Sequence, residues 1–120
     1  MKTVLVVDDS ETVRQEIARA LEKAGFAVIE ARDGLEALEL ADKNALNMVI
    51  LDVNMPRLNG LDMLERLMAD PKHRNLPVLM LTTEAQPSMI ERAKKAGAKA
   101  WVIKPLKAEQ LVSVVTKLAS

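Results

Sequence analysis

Short apolar runs alternate along the chain with longer stretches of helical periodicity. Val4-Leu5-Val6-Val7, Phe26-Ala27-Val28-Ile29, Met48-Val49-Ile50-Leu51, Val78-Leu79-Met80-Leu81 and Ala100-Trp101-Val102-Ile103 are too short for core helices, and most are rich in Val and Ile. They read as strands. Several are apolar at consecutive rather than alternate positions. Strands covered on both faces show that pattern, which predicts a parallel sheet.

The intervening stretches repeat at helical spacing. Val13, Ile17, Ala20, Leu21 and Ala24 form one stripe, and Gly25 stands where a helix-ending glycine belongs. Asp33 is suited to cap a second helix, with Glu36 three residues on as in a capping box and Leu35, Leu38 and Ala41 following. Leu61, Leu64, Leu67 and Met68 make a third stripe. Ile90, Ala93 and Ala96 make a weaker fourth between Pro87 and Gly97. Leu111, Val114, Val115 and Leu118 make a fifth, which starts without a strong cap. The longest irregular piece runs from Asp70 to Pro77 and reads as a surface loop. Strand and helix thus alternate five times, predicting an α/β (βα)5 doubly wound sheet with right-handed crossovers. Residues 1–120 read as one domain.

Composition narrows the function. Seventeen basic and seventeen acidic residues cancel, and the only aromatic side chains are one Trp and one Phe. A nucleic-acid module would show a basic surface and stacking rings, so that class is set aside. With no cysteine, thiol chemistry and Cys-ligated zinc are excluded. No apolar run approaches the ~20 residues of a membrane span. The opening apolar run stops at Asp8-Asp9, too early for a signal peptide. A cytoplasmic protein with no membrane insertion is the expectation. The seven Met read as the initiator and core fillers, and His73 as a loop-surface residue.

In open α/β sheets, ligands bind outside the carboxyl ends of the strands. Strand one ends at Asp8-Asp9, strand three at Asp52, strand four at Thr82-Thr83 and strand five at Lys104-Pro105. If these strands are neighbours, three carboxylates converge with a lysine and a hydroxyl. Ionised together, the acids need a cation. Magnesium takes one or two carboxylates plus phosphate oxygens, and a carboxylate beside it can attack phosphorus in line. Each piece alone has an ordinary structural reading. Their conjunction at four strand ends carries the chemistry.

These residues resemble the receiver domain of bacterial response regulators, in its stand-alone, CheY-like chemotaxis type. The matching pieces are Val7-Asp8-Asp9-Ser10 with Arg14, Leu51-Asp52-Val53-Asn54-Met55-Pro56 with Asn59-Gly60, Leu81-Thr82-Thr83, and Ala96-Gly97-Ala98 leading to Trp101-Val102-Ile103-Lys104-Pro105. The resemblance implies a flavodoxin-like strand order, 2-1-3-4-5. It implies that Asp52 is the phosphoacceptor, and that Asp8, Asp9, Asp52 and the backbone carbonyl of Asn54 hold Mg2+. Lys104 and Thr82 would bind phosphoryl oxygens, and Thr82 and Trp101 would relay the switch. Asn54 and Glu84 would tune the phosphoryl lifetime, and Lys104-Pro105 would be a cis peptide. Leu106 departs from the Phe common at its position. The implied partners are a sensor histidine kinase or phosphotransfer protein and a downstream effector such as the flagellar motor switch. The effector would meet a monomer at the helix 4–strand 5–helix 5 face, where Arg92, Lys94, Lys95 and Lys99 cluster.

The rivals are weaker. A haloacid-dehalogenase-type phosphatase wants an acid two residues after its nucleophile, where this chain has Asn54. It also wants a cap domain. The chain reads as no enzyme beyond its own phosphorylation and dephosphorylation. A nucleotide or flavin site would need a glycine-rich loop after strand one, where Asp8-Asp9 repels anions. A phosphorylation-independent docking receiver would not require the intact acidic set.

Overall fold

The computed structural model describes residues 1–55, 58–83 and 85–119. Its elements are β1 (Thr3–Val7), α1 (Glu11–Lys23), β2 (Ala27–Ala31), α2 (Gly34–Lys43), β3 (Met48–Leu51), α3 (Gly60–Ala69), β4 (Val78–Thr82), α4 (Pro87–Ala96), β5 (Ala100–Ile103) and α5 (Ala108–Leu118). All neighbouring strands run parallel, in the order β2-β1-β3-β4-β5. The expected doubly wound sheet is present.

Alternation along the strands divides the core in two. Leu5, Val7, Val49, Leu51, Val78 and Met80 face α2, α3 and α4, burying Ala37, Leu64 and Ala93. Val4, Val6, Met48, Ile50, Leu79 and Leu81 face α1 and α5, burying Ile17, Leu21, Leu111 and Val115. β1, β3 and β4 are covered on both faces, apart from a partly exposed Thr3. At roughly 1.5–3 kcal/mol for each large apolar side chain removed from water, these central strands anchor the domain.

The edges differ from expectation. β2 lies one to two residues later than the apolar run suggests, ending on exposed Glu30 and buried Ala31 rather than on Ile29. Neither β2 nor β5 is buried throughout, because each has a neighbour on one side only.

The helix boundaries follow local chemistry. Ser10 Oγ accepts from the Val13 N–H to start α1. Gly25, at φ +95°, follows its end in a conformation that disfavours other residues. Asp33 caps α2 by accepting from Glu36 N (2.9 Å). Glu36 returns to the N–H of Arg32 (2.7 Å), one residue short of a standard capping box, and also pairs with the Arg32 guanidinium (3.6 Å). Lys107 precedes α5 and supplies no side-chain cap, as expected. Within the predicted loop, Asp70 caps a 3-10 turn over Pro71–His73. His73 is not the surface residue expected: its ring is largely covered and lies 3.3 Å from Asp42. Of the basic cluster, Arg92 on α4 clamps Asp62 (2.7 Å) and Glu65 (2.6 Å) on α3. Among the described residues, no helix is long and apolar enough to cross a membrane.

Candidate functional site

Parallel pairing brings the predicted residues to one edge. β1 and β3 are neighbours with Val7 opposite Leu51, so Asp8 and Asp52 leave adjacent strands at the same height. Asp52 N donates to Val7 O (3.0 Å), and Asp8 N to Ala31 O (3.1 Å). Oxygens of Asp8, Asp9 and Asp52 lie within 4.8 Å of one another. Asp8 and Asp52 are 2 % and 6 % exposed, whereas Asp9 stands at the open rim. Lys104 follows β5 directly and precedes a cis Lys104-Pro105 bond. Its ammonium donates to Asp8 Oδ2 (2.7 Å) and Asp52 Oδ2 (3.2 Å).

The electrostatics of this cluster are unbalanced. Two like charges within 4.8 Å of each other repel by at least roughly 3.5 kcal/mol at an effective dielectric of about 20. Three carboxylates and one ammonium leave two negative charges, which suits a divalent cation. Burial, and next the charge of Asp8, push the Asp52 carboxyl above its ordinary value, while Lys104 and the Asn54 N–H oppose them. Burial draws the Lys104 ammonium down, but its bond to Asp8 and the charge of Asp52 hold it above its ordinary value. The donor set fits magnesium: hard oxygens, with an exposed carboxylate where the ion would keep its waters.

The other predicted residues fall into place unequally. Thr82 is the last residue of β4 and fully buried. It continues the row Val78, Met80 toward α4. Trp101 lies opposite Met80 on β5 and packs against the same core. Asn54 is exposed at the rim, and its N–H donates to Asp52 Oδ1 (3.2 Å). Glu84 lies outside the described residues.

Two contributors went unassigned in the sequence. A Cβ on Gly60 would strike the carbonyl oxygen of Asp52 and come within 2.8 Å of both its carbonyl carbon and Val53 Cα. The start of α3 can therefore press against the Asp52 backbone only as glycine. Arg14 is the second: 8 % exposed, it donates Nη1 to the Asp8 carbonyl (2.8 Å) and Nε to Glu30 (3.0 Å). Its signal was present, since Arg14 shares the buried face of α1 with Ile17, Ala18 and Leu21.

A second group, Asp42, Asp70 and His73, also has clustered oxygen and nitrogen atoms. Its two acids are shared by the exposed Lys72 ammonium, at 3.6 and 3.8 Å. The two acids and the lysine leave one negative charge there, so the strand-edge cluster has the greater call for a cation.

A parallel 2-1-3-4-5 sheet with buried acids and a partly covered lysine at its carboxyl edge places an acid pocket where open α/β sheets bind ligands. The response regulator receiver domain model matches residues 4–116. The chain is 41 % identical over 104 residues to chemotaxis protein CheY1 of Helicobacter pylori, covering 85 % of this chain and 84 % of that protein. It is 38 % identical to CheY-3 of Vibrio cholerae over 96 % of this chain and 89 % of that one. The structure of V. cholerae chemotaxis protein CheY4 superposes with a TM-score of 0.94 at 37 % identity, covering 98 % of both chains. The chain belongs to the response regulator receiver domain family, as a CheY-like member.

Proposed function

We propose that Asp52 is the phosphoacceptor of a His-to-Asp relay and that Mg2+ is required. The observation that carries this is the buried Asp52 carboxylate held within 4.8 Å of Asp8 and Asp9 while sharing Lys104 with Asp8. A carboxylate oxygen of Asp52 attacks the phosphorus of a phosphohistidine on a sensor kinase or phosphotransfer protein. The N–P bond breaks, its electron pair returns to the imidazole, and Asp52 becomes an acyl phosphate. Asp8, Asp9, Asp52 and the Asn54 carbonyl would hold magnesium, which would supply positive charge against the phosphoryl oxygens. Lys104 keeps Asp8 and gives its other contact to a phosphoryl oxygen; Thr82 donates to a second. Chemistry of this kind rests on positioning and electrostatics.

Thr82 and Trp101 share one face of adjacent strands, so displacement of Thr82 toward the phosphoryl alters the packing beneath α4. That biases a two-state equilibrium read at the α4–β5–α5 face. The chemotaxis relatives favour a motility output through protein–protein contact, with a flagellar motor component as the partner. Asn54 at the rim, with Glu84, sets how readily water reaches the acyl phosphate. The domain turns over no external substrate.

Acetyl phosphate with magnesium, followed by intact-mass measurement, tests the reading. One phosphoryl group is expected on the wild type and none on Asp52→Asn. An unmodified wild type, or equal labelling of the variant, overturns it. A slower decay of that mass in a double Asn54→Ala, Glu84→Ala variant is expected, and an unchanged decay removes their role in lifetime.

A further inference from the structure

Asp8 is held at four points. Its N–H donates to Ala31 O, its Oδ1 accepts from Ser10 N (2.9 Å), its Oδ2 accepts from Lys104, and its carbonyl accepts from Arg14. Asp9, the next residue, has no such tether: its carboxylate is exposed and has no hydrogen-bond partner among the described residues. The direction of Asp9 is therefore set by the peptide that joins it to Asp8, and the oxygen of that peptide is the one Arg14 holds. Arg14 is in turn anchored by Glu30 on the edge strand β2, through Nε at 3.0 Å. Its guanidinium thus ties the β2 edge to the acid pocket from behind, without touching a carboxylate of the pocket.

We propose that Arg14 is a positioning residue for cation binding: by clamping the Asp8–Asp9 peptide against Glu30, it aims Asp9 at the ion. The inference rests on the magnesium-dependent reading above. Groups that orient metal ligands from behind commonly contribute about 10–100-fold in affinity.

The sign of the effect separates this role from a purely electrostatic one. A buried positive charge close to a cation site repels the ion. If Arg14 acted by its charge alone, Arg14→Met would tighten magnesium binding. If it acts by positioning, the same change weakens binding despite removing that repulsion. Arg14→Lys keeps the charge and can reach the Asp8 carbonyl, but it lacks the fork that bridges to Glu30. It should fall between wild type and Arg14→Met.

The experiment is calorimetric titration of magnesium chloride into metal-stripped wild type, Arg14→Met and Arg14→Lys. Each protein is checked for cooperative melting in EDTA, and acetyl phosphate labelling is followed at rising magnesium. We expect Kd to rise about tenfold or more for Arg14→Met, with a smaller rise for Arg14→Lys. The labelling rate at saturating magnesium should fall much less than the affinity. Unchanged or tighter binding by a folded Arg14→Met overturns the proposal. If Arg14→Met does not fold, wild-type affinity in Arg14→Lys overturns it and a weakened Kd supports it. No magnesium binding by the wild type overturns the magnesium-dependent function itself, and this inference with it. Magnesium binding in the wild type that Arg14→Met retains in full sinks the Arg14 role alone.

Discussion

Gly60→Ala should damage phosphorylation out of proportion to its effect on stability. The added methyl would collide with the carbonyl oxygen of Asp52 and sit 2.8 Å from both Asp52 C and Val53 Cα. All three are backbone atoms, so no rotamer change relieves the contact. The α3 start or the Asp52–Val53 segment must move. Overpacking of this kind costs about 1–3 kcal/mol. Alanine's better helix propensity returns at most about 1 kcal/mol. The net loss is up to about 2 kcal/mol, a Tm decrease of up to about 8 °C in a domain this size. Displacing Asp52 by a fraction of an ångström to an ångström should slow labelling by acetyl phosphate up to about 100-fold. Gly25→Ala supplies the control. Gly25 has φ +95° and nothing within 4 Å of a built Cβ, so its cost is backbone strain alone. That strain is about 1–2 kcal/mol, and Gly25 lies far along the chain from the acid pocket. The two variants should melt alike, yet only Gly60→Ala should label slowly. Equal labelling rates in both would refute the claim that the close approach of α3 positions Asp52.

Asp52→Asn should be more stable than wild type at neutral pH without metal. A carboxyl whose folded pKa is raised stabilises the fold only while protonated; that contribution is full below its ordinary 3.8 and is lost as pH rises through the folded value. The Tm gap between variant and wild type in EDTA should therefore open above about pH 4 and persist at pH 7, and a gap independent of pH would contradict the assignment. Thr82→Ala should still accept a phosphoryl group but lose the accompanying change in Trp101 fluorescence. A full fluorescence response in that variant would break the proposed link between the hydroxyl and the β5 face.

Much of the site was legible because strand ends in a parallel sheet are chemically exposed positions. Asp8, Asp9, Asp52, Thr82 and Lys104 each follow or close an apolar run, and apolar runs are the strongest local signal in the chain. Arg14 was half legible: it sat on the apolar face of α1, but its acceptor, a backbone carbonyl, has no mark in the sequence. Gly60 was illegible as a site residue, since a glycine at a helix start has many ordinary reasons to be there. Only the approach of α3 to the Asp52 backbone supplies the particular one. His73 read as loop surface because the fold of the 3-10 turn against α2 cannot be seen from residues 70–77 alone.

The sequence by itself determined which segments are strands, which faces of the helices are apolar and which acids stand at strand ends. These are properties of period and composition, and they act within a few residues. The place of β1 between β2 and β3 came from the family resemblance rather than from period or composition, and tertiary structure alone decided that β2 and β5 are half-exposed edges and that Lys104 reaches Asp8 across 96 positions of sequence. The reason is physical: which strands become neighbours depends on how crossovers pack both sheet faces at once, and the charge balance of the pocket exists only after that packing has removed water from Asp8 and Asp52.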